Sequence, residues 1–190
     1  MRSFAALHTV GQSSVSLESN SEGAEWGILH QRIAAGDLAG RMVEFSADLR
    51  TEDVVRGANL FVRADDASGR ALAIETIMEN RISKDGLEDH LAIHRIAGDT
   101  DWTTRYVVLR VPEEATALSY GVALQGSGKL WIDNGSLQPA GPASQITGFH
   151  RKREALDGAG ALTPDHALAG PANLDFEPTE LDTCLSKGAQ

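Results

Sequence analysis

An arginine held between apolar neighbours carries the clearest chemical potential in this sequence. Arg63 lies between Val62 and Ala64. A guanidinium lodged in a groove at such a position can fork onto a carboxylate, a sugar hydroxyl or a phosphate. Glu75, Glu79, Arg105 and Tyr106 are the residues that could share that groove, with Trp26 at its rim in the loop-edge sequence Glu25-Trp26-Gly27. Aromatic surface flanked by a few directed polar groups is what a polar small-molecule site needs. The expected ligand site is therefore Trp26, Arg63, Glu75, Arg105 and Tyr106. The competing reading of Arg63 is an exposed charge on a strand face. For the aromatics the competing reading is packing: Trp102 reads as a core plug, and Tyr106 and Tyr120 suit a sandwich core. Trp131 alternates with Leu130 and Ile132, and only one of those two faces can be the core.

Metal and catalytic chemistry is thinly represented. His90 and His94 are spaced to share one helical face as a metal pair, yet their stretch is not securely helical and no third ligand is evident. A solvated loop is the other reading. His30 falls on a strand as a sheet-face residue, and His8, His150 and His166 fall in irregular segments. The single cysteine, Cys184, excludes an internal disulfide and a four-thiolate zinc site. No nucleophile elbow, H-E-x-x-H, P-loop or dinucleotide fingerprint occurs. Glu113-Glu114 and Asp65-Asp66 are neighbours on turns and do not face each other across a substrate. Glu75 with Glu79 is the conceivable glycosidase pair, whose carboxyl groups would stand roughly 5–10 Å apart.

The elements that must position these residues are short and extended. Ser13–Glu18, Gly27–Ala34, Arg41–Arg50, Ala58–Ala64, Arg70–Met78, Thr103–Val111, Ala117–Leu124 and Lys129–Leu137 read as strands. In Arg41–Arg50, Val43, Phe45, Ala47 and Leu49 alternate with Met42, Glu44, Ser46 and Asp48, the period of a half-buried strand. Ile28, His30 and Arg32 oppose Leu29, Gln31 and Ile33 in the same way, and Leu60 and Val62 oppose Asn59, Phe61 and Arg63. Asp65-Asp66-Ala67-Ser68-Gly69 supplies turn chemistry, and Gln125-Gly126-Ser127-Gly128 reads as a hairpin loop. Ser83–Ile96 is a loop with some strand. About eight strands, Gly-rich turns and no sustained helix imply a sandwich or barrel. After Pro139 the chain becomes rich in Gly, Pro and Ala and is expected to be extended or partly disordered.

Composition narrows the function classes. The chain has 190 residues, 42% of them hydrophobic and 23% charged, and a formal net charge of −10. That suits one domain with a real core and a tail. Between Gln12 and Gln138 twenty acidic side chains face twelve basic ones, so the negative balance belongs to the folded body. Direct nucleic-acid binding and adsorption to an anionic membrane are disfavoured, and a neutral or cationic ligand fits better than a polyanion. With no leader or spanning segment legible, a cytoplasmic location is expected.

Taken together, several segments carry a resemblance. They are Gly27–Gln31, Gly40–Ser46, Leu49–Val54, Leu60–Asp65, Gly69–Ala73, Thr100–Thr103, Val111–Thr116 and Gly128–Asn134. In this order they resemble the galactose-binding-like jelly-roll domains related to carbohydrate-binding modules, most nearly the version fused to the C-terminus of some bacterial transcriptional regulators. The resemblance covers about two-thirds of the chain. It implies an all-β, two-sheet antiparallel jelly-roll sandwich over 13–139, with an irregular extension over 140–190. Such domains often open with an N-(G/L)-D-F-E strand. Here that signature stands at Asn173–Glu177, after the sandwich, which implies that 173–177 returns to pair as an added strand. Where such domains carry a structural calcium, the matching positions here are Asp133 and Glu177; no Asp-rich loop with EF-hand spacing occurs, and the expected cofactor is none. No helix-turn-helix is present in this chain. The expected function is non-catalytic binding of a carbohydrate or other polar small molecule in the groove of one sheet. The alternatives are a dimerisation or interaction module, regulator-associated, and a small lyase, isomerase or cyclase on the same scaffold.

Overall fold

A computed structural model of the chain describes residues 14–20, 23, 26–77 and 96–141. Glu79, His90, His94, Glu177, the 173–177 segment and nearly all of the 83–96 and 140–190 stretches lie outside the described residues. Seven strands run in the order β1 (Val15–Ser19), β2 (Trp26–Ala34), β3 (Met42–Asp65), β4 (Ala71–Thr76), β5 (Ile96–Arg110), β6 (Ala117–Gln125) and β7 (Gly128–Pro139). A 3₁₀ turn at Gly36–Leu38 links β2 to β3.

Two of the expected strands, Arg41–Arg50 and Ala58–Ala64, are one 24-residue strand, β3. Its first half pairs with β5 and β7, and its second half, from Gly57 to Asp65, with β6 and β4. Between the halves the register against β5 shifts repeatedly from Leu49 to Ala58, and Asp53 takes a positive φ of 52°. Bulges of this kind let one strand turn a corner and pass from one sheet to the other. Sheet I is therefore β1-β7-β3-β5, and sheet II is β2-β6-β3-β4, antiparallel throughout. The all-β sandwich read from the sequence is the observed fold.

The core lies between the sheets, where alternation placed it. Val43, Phe45, Ala47 and Leu49 are buried from sheet I, and Leu60, Val62, Leu118, Tyr120 and Leu124 from sheet II. The Phe45 and Tyr120 rings meet across the core with centroids 5.1 Å apart, and the Tyr120 hydroxyl donates to Gln31 Oε1 at 2.8 Å. The β3–β4 hairpin turn closes as its composition predicts. Asp66 accepts from the Ser68 amide and hydroxyl and from Arg70. Its carboxyl is held down to about 2, foremost by the Ser68 hydroxyl.

Three expectations need correction. Gln125–Gly128 is not a hairpin loop, because β6 and β7 belong to different sheets. Gln125 pairs with Gly57 and Lys129 with Glu52, so the turn follows the corner of β3, and Ser127 O accepts from the Val55 amide at 3.1 Å. Gly128 makes this close passage possible. Its φ is +128°, and a Cβ there would stand 2.6 Å from Val54 Cα. Trp102 is not a core plug: it is half-buried in β5, where the register slips between the Leu49 and Thr51 pairings. Tyr106 is 54% exposed, because it stands opposite Ser46 on the outer side of sheet I. Among the described residues no helix is long and apolar enough to cross a membrane.

Candidate functional site

The outer face of sheet II is assembled in rungs by the pairing of β2, β6, β3 and β4. Ile28, Ala123 and Asn59 form one rung, and His30, Gly121, Phe61 and Thr76 the next. Arg32, Ser119, Arg63 and Ile74 follow, and then Ala34, Ala117, Asp65 and Ala71. Burial is deepest along the two central strands: Ser119, Asn59, Arg63 and Phe61 are all buried, while His30 and Ile28 on β2 are exposed. Polar groups therefore form the floor and the outer strand forms a rim. At Gly121 the floor is bare, because a Cβ there would lie 2.1 Å from the Leu29 carbonyl oxygen.

Asp65 organises the charged end of this floor. It is fully buried, and it accepts from Arg63 Nε at 2.6 Å on Oδ1 and from Arg32 Nη1 at 2.5 Å on Oδ2. Arg32 Nη1 also donates to Ser119 Oγ at 3.2 Å, and Arg63 Nη2 donates to the Gly69 carbonyl at 3.2 Å. One carboxylate thus fixes two guanidinia, and the cluster carries one net positive charge. His30 stands one rung away, with its pKa lowered first by burial and then by the charges of Arg32 and Arg63. Further along the same face, Asn59 is 5% exposed and its Oδ1 has no hydrogen-bond partner among the described residues.

The expected site residues do not come together. Arg63 lies in this floor, but it is paired rather than open. Trp26 shares the face of β2 with Arg32 and is 45% exposed. Six residues separate the two, or ~20 Å along a strand. Glu75 lies on the opposite side of sheet II, opposite Val62 in the core. It is 2% exposed, its Oε1 lacks a partner among the described residues, and burial pushes its carboxyl up to about 7. Arg105 and Tyr106 are in sheet I and, as consecutive strand residues, point to opposite sides. Arg32, Asn59 and Ser119 are not singled out from the sequence as site residues, and Asp65 enters there only as half of the Asp65-Asp66 turn pair. The alternation of Ile28, His30 and Arg32 was legible, but the pairing of β2 with β6 that brings Arg32 to Asp65 is non-local.

On the outer face of sheet I, Trp131 is 2% exposed, with Arg50 Cζ 4.9 Å and Lys129 Nζ 4.8 Å from its ring centroid. Nearby, the buried Asp133 accepts from the Asn134 amide at 2.8 Å, and Asp48 accepts from Asn134 Nδ2 at 2.8 Å. Among the described residues no group of three or more His, Cys, Asp or Glu side chains could hold a metal. Asp133 and Asp48 alone do not make a calcium donor set, and Glu177 lies outside the described residues. A shallow depression of about 410 Å³ is lined by Arg50, Thr51, Glu52, Asp99, Thr100 and Asp101, with the Thr51 and Thr100 hydroxyls bonded to each other at 2.9 Å.

With this geometry in hand, the chain was compared with known proteins. No family model matches it. It is 28% identical over 153 residues, 80% of the chain, to the uncharacterized HTH-type transcriptional regulator YbfP of Bacillus subtilis (strain 168). The chain spans 43% of that relative's length. Among solved structures, the enzymatically active domain of tailspike protein 4 of bacteriophage CBA120 superposes with a TM-score of 0.50 at 16% identity, over 67% of this chain and 16% of that one. The fold is a jelly-roll sandwich. A family 16 carbohydrate-binding module also matches, with a TM-score of 0.46 and 14% identity, over 68% of this chain and 78% of that one. The regulator side of the resemblance read from the sequence is borne out by the Bacillus relative.

Proposed function

We propose that the chain is a non-catalytic module that binds a carbohydrate or similarly hydroxylated small molecule on the outer face of sheet II. The observation that carries this reading is Asn59. Its Oδ1 is buried without a partner among the described residues, on the same face as two guanidinia fixed by Asp65. A buried acceptor left unsatisfied costs roughly 1–3 kcal/mol, and a ligand hydroxyl donated to it removes that cost. Phe61, on the next rung beside bare Gly121, places a largely buried aromatic side chain under the same face. Fixed Arg and Asn side chains with an aromatic floor match the makeup of a largely preformed polar-ligand pocket. The likeness to an HTH-type regulator supports a setting for the binding event: the chain acts as the ligand-responsive portion of a longer regulatory protein.

Calorimetric titration of the full chain with a panel of mono- and oligosaccharides tests the reading. At least one is expected to bind with a dissociation constant at or below the millimolar range, and Asn59→Leu should weaken that binding tenfold or more. A panel that shows no heat at millimolar sugar would remove the proposal.

A further inference from the structure

We infer that the preferred ligand of this face is a monoanionic sugar, a hexuronate whose carboxylate docks on Arg32. The inference rests on the binding reading above and adds the ligand's charge and shape. Arg32 has five N–H donors, and within the described residues its side chain bonds only through Nη1, to Asp65 and Ser119. The Nε and Nη2 donors are left, and they form the guanidinium edge opposite Nη1. That edge delivers two parallel hydrogen bonds and is the geometric match for a carboxylate. The side chain is 9% exposed, so the edge is mostly withdrawn from water and a pairing made there is weakly screened.

Charge balance selects among anions. Arg32 and Arg63 against Asp65 leave one positive charge on this face, in a chain whose net charge is −10. A single carboxylate cancels it. A phosphomonoester brings about −1.5 to −2 at neutral pH and would leave excess negative charge beside Asp65. A neutral sugar leaves the guanidinium edge without an anion. The remaining geometry suits a ring attached to that carboxylate. The rung next to Arg32 holds Gly121, which cannot carry a side chain, flanked by His30 and Phe61. One rung beyond lies the unsatisfied Asn59 Oδ1, within reach of a hydroxyl on the far side of the ring or on a neighbouring sugar unit. Two rungs span ~13 Å along a strand.

The test is a calorimetric comparison on the full chain of three ligands sharing one ring: methyl glucuronide, methyl glucoside and glucose 6-phosphate, with the galacto series run in parallel. Hydrogen bonds between charged partners are roughly twice as strong as neutral ones, so the uronide is expected to bind at least tenfold more tightly than the neutral glycoside and than the phosphate. Arg32→Gln should bring the uronide down to the affinity of the neutral glycoside, so that the preference between the two is lost. Arg32→Lys keeps the charge and the hold on Asp65 but loses the two-donor edge, and should lose most of the preference even if Arg32→Gln folds poorly. Equal affinity for uronide and neutral glycoside would overturn the inference and leave sugar binding standing. Tighter binding of the phosphate would overturn it in favour of another anion. If none of the three binds while another saccharide does, the uronate assignment fails alone. If no saccharide binds, both proposals fall.

Discussion

Asp65 and Glu75 are buried carboxyls on adjacent strands of sheet II, and their surroundings differ in every respect that matters to a charge. Asp65, on the outer face, is clasped by two guanidinia at 2.5 and 2.6 Å. Glu75, on the core face opposite Val62, has a buried oxygen with no partner among the described residues, and burial pushes its carboxyl up to about 7. Both groups are withdrawn from water. One offsets the cost of that with opposite charge; the other retreats towards the neutral acid. The contrast separates two kinds of buried polar residue in one fold: a fixed ionic frame that holds donors in place for a ligand, and an isolated acid that makes stability depend on pH.

The largest effect is expected on the ionic frame. Asp65→Asn keeps the shape but removes the countercharge from Arg32 and Arg63, whose side chains are 9% and 4% exposed. Breaking a buried pair by removing one partner costs about 3–5 kcal/mol, and here one partner serves two cations. Urea denaturation should show a loss in that range, with the preference for a uronide lost because Arg32 is no longer held. A loss below about 1 kcal/mol would mean that water reaches these guanidinia and that the frame is not a frame.

Glu75 should behave in the opposite sense. Its pKa is raised from the ordinary 4.5 to about 7, so between those values the folded state binds more protons than the unfolded one. Its contribution to stability is therefore fully present below about pH 4.5 and is lost as the pH rises through about 7. The shift corresponds to a loss on the order of 3 kcal/mol. Glu75→Gln removes the ionisation. Relative to the variant, the native chain should lose stability steadily from pH 5 to pH 8, a trend that thermal melts across that range would reveal. Parallel pH curves for the two proteins would show that Glu75 is not isolated.

This pair also shows where sequence reading reaches and where it stops. The strand faces were legible because alternation is local: Val43, Phe45, Ala47 and Leu49 turn inward as their spacing requires, and Asn59, Phe61 and Arg63 share the outer face of sheet II. Arg63 was legible as unusual because a charge within an apolar strand is costly unless answered. Its answer, Asp65, stands two residues along the same strand and read only as turn chemistry, while the second cation on that carboxylate, Arg32, comes from a strand far away in sequence and could not be read. Glu75 was grouped with Arg63 because the turn between them leaves the register open. The pairing starts at Asp65 with Ala71 and continues at Ala64 with Ala73, a one-residue bulge. Without that bulge Glu75 would stand opposite Phe61 and share the face of Arg63. A single-residue slip exchanges faces, and no pattern in the sequence fixed it. The whole-chain charge, which disfavours a polyanion, is silent on this cluster for a related reason, since a sum over the chain cannot show where one positive charge is left over.

Lys129 completes the series as a charge that stays partly in water, and its removal should have the smallest effect. It reaches Glu18 at 3.4 Å with side chains 21% and 41% exposed, and its ammonium stands 4.8 Å from the centroid of Trp131. Exposed ion pairs contribute little, about 0–1 kcal/mol, and an exposed cation over an aromatic face adds ~0.5–1 kcal/mol. The more durable part of the contact is the aliphatic stem, which covers the ring whatever the charge at its tip. Lys129→Met should therefore cost no more than about 0.5 kcal/mol, and Lys129→Ala about 1 kcal/mol, because only the second uncovers the indole. Urea melts read the two energies, and the Trp emission maximum should move to the red in the alanine variant alone. Equal losses well above about 1 kcal/mol in both variants would mean that the ammonium matters more than the stem, and that this surface charge behaves like the buried frame around Asp65.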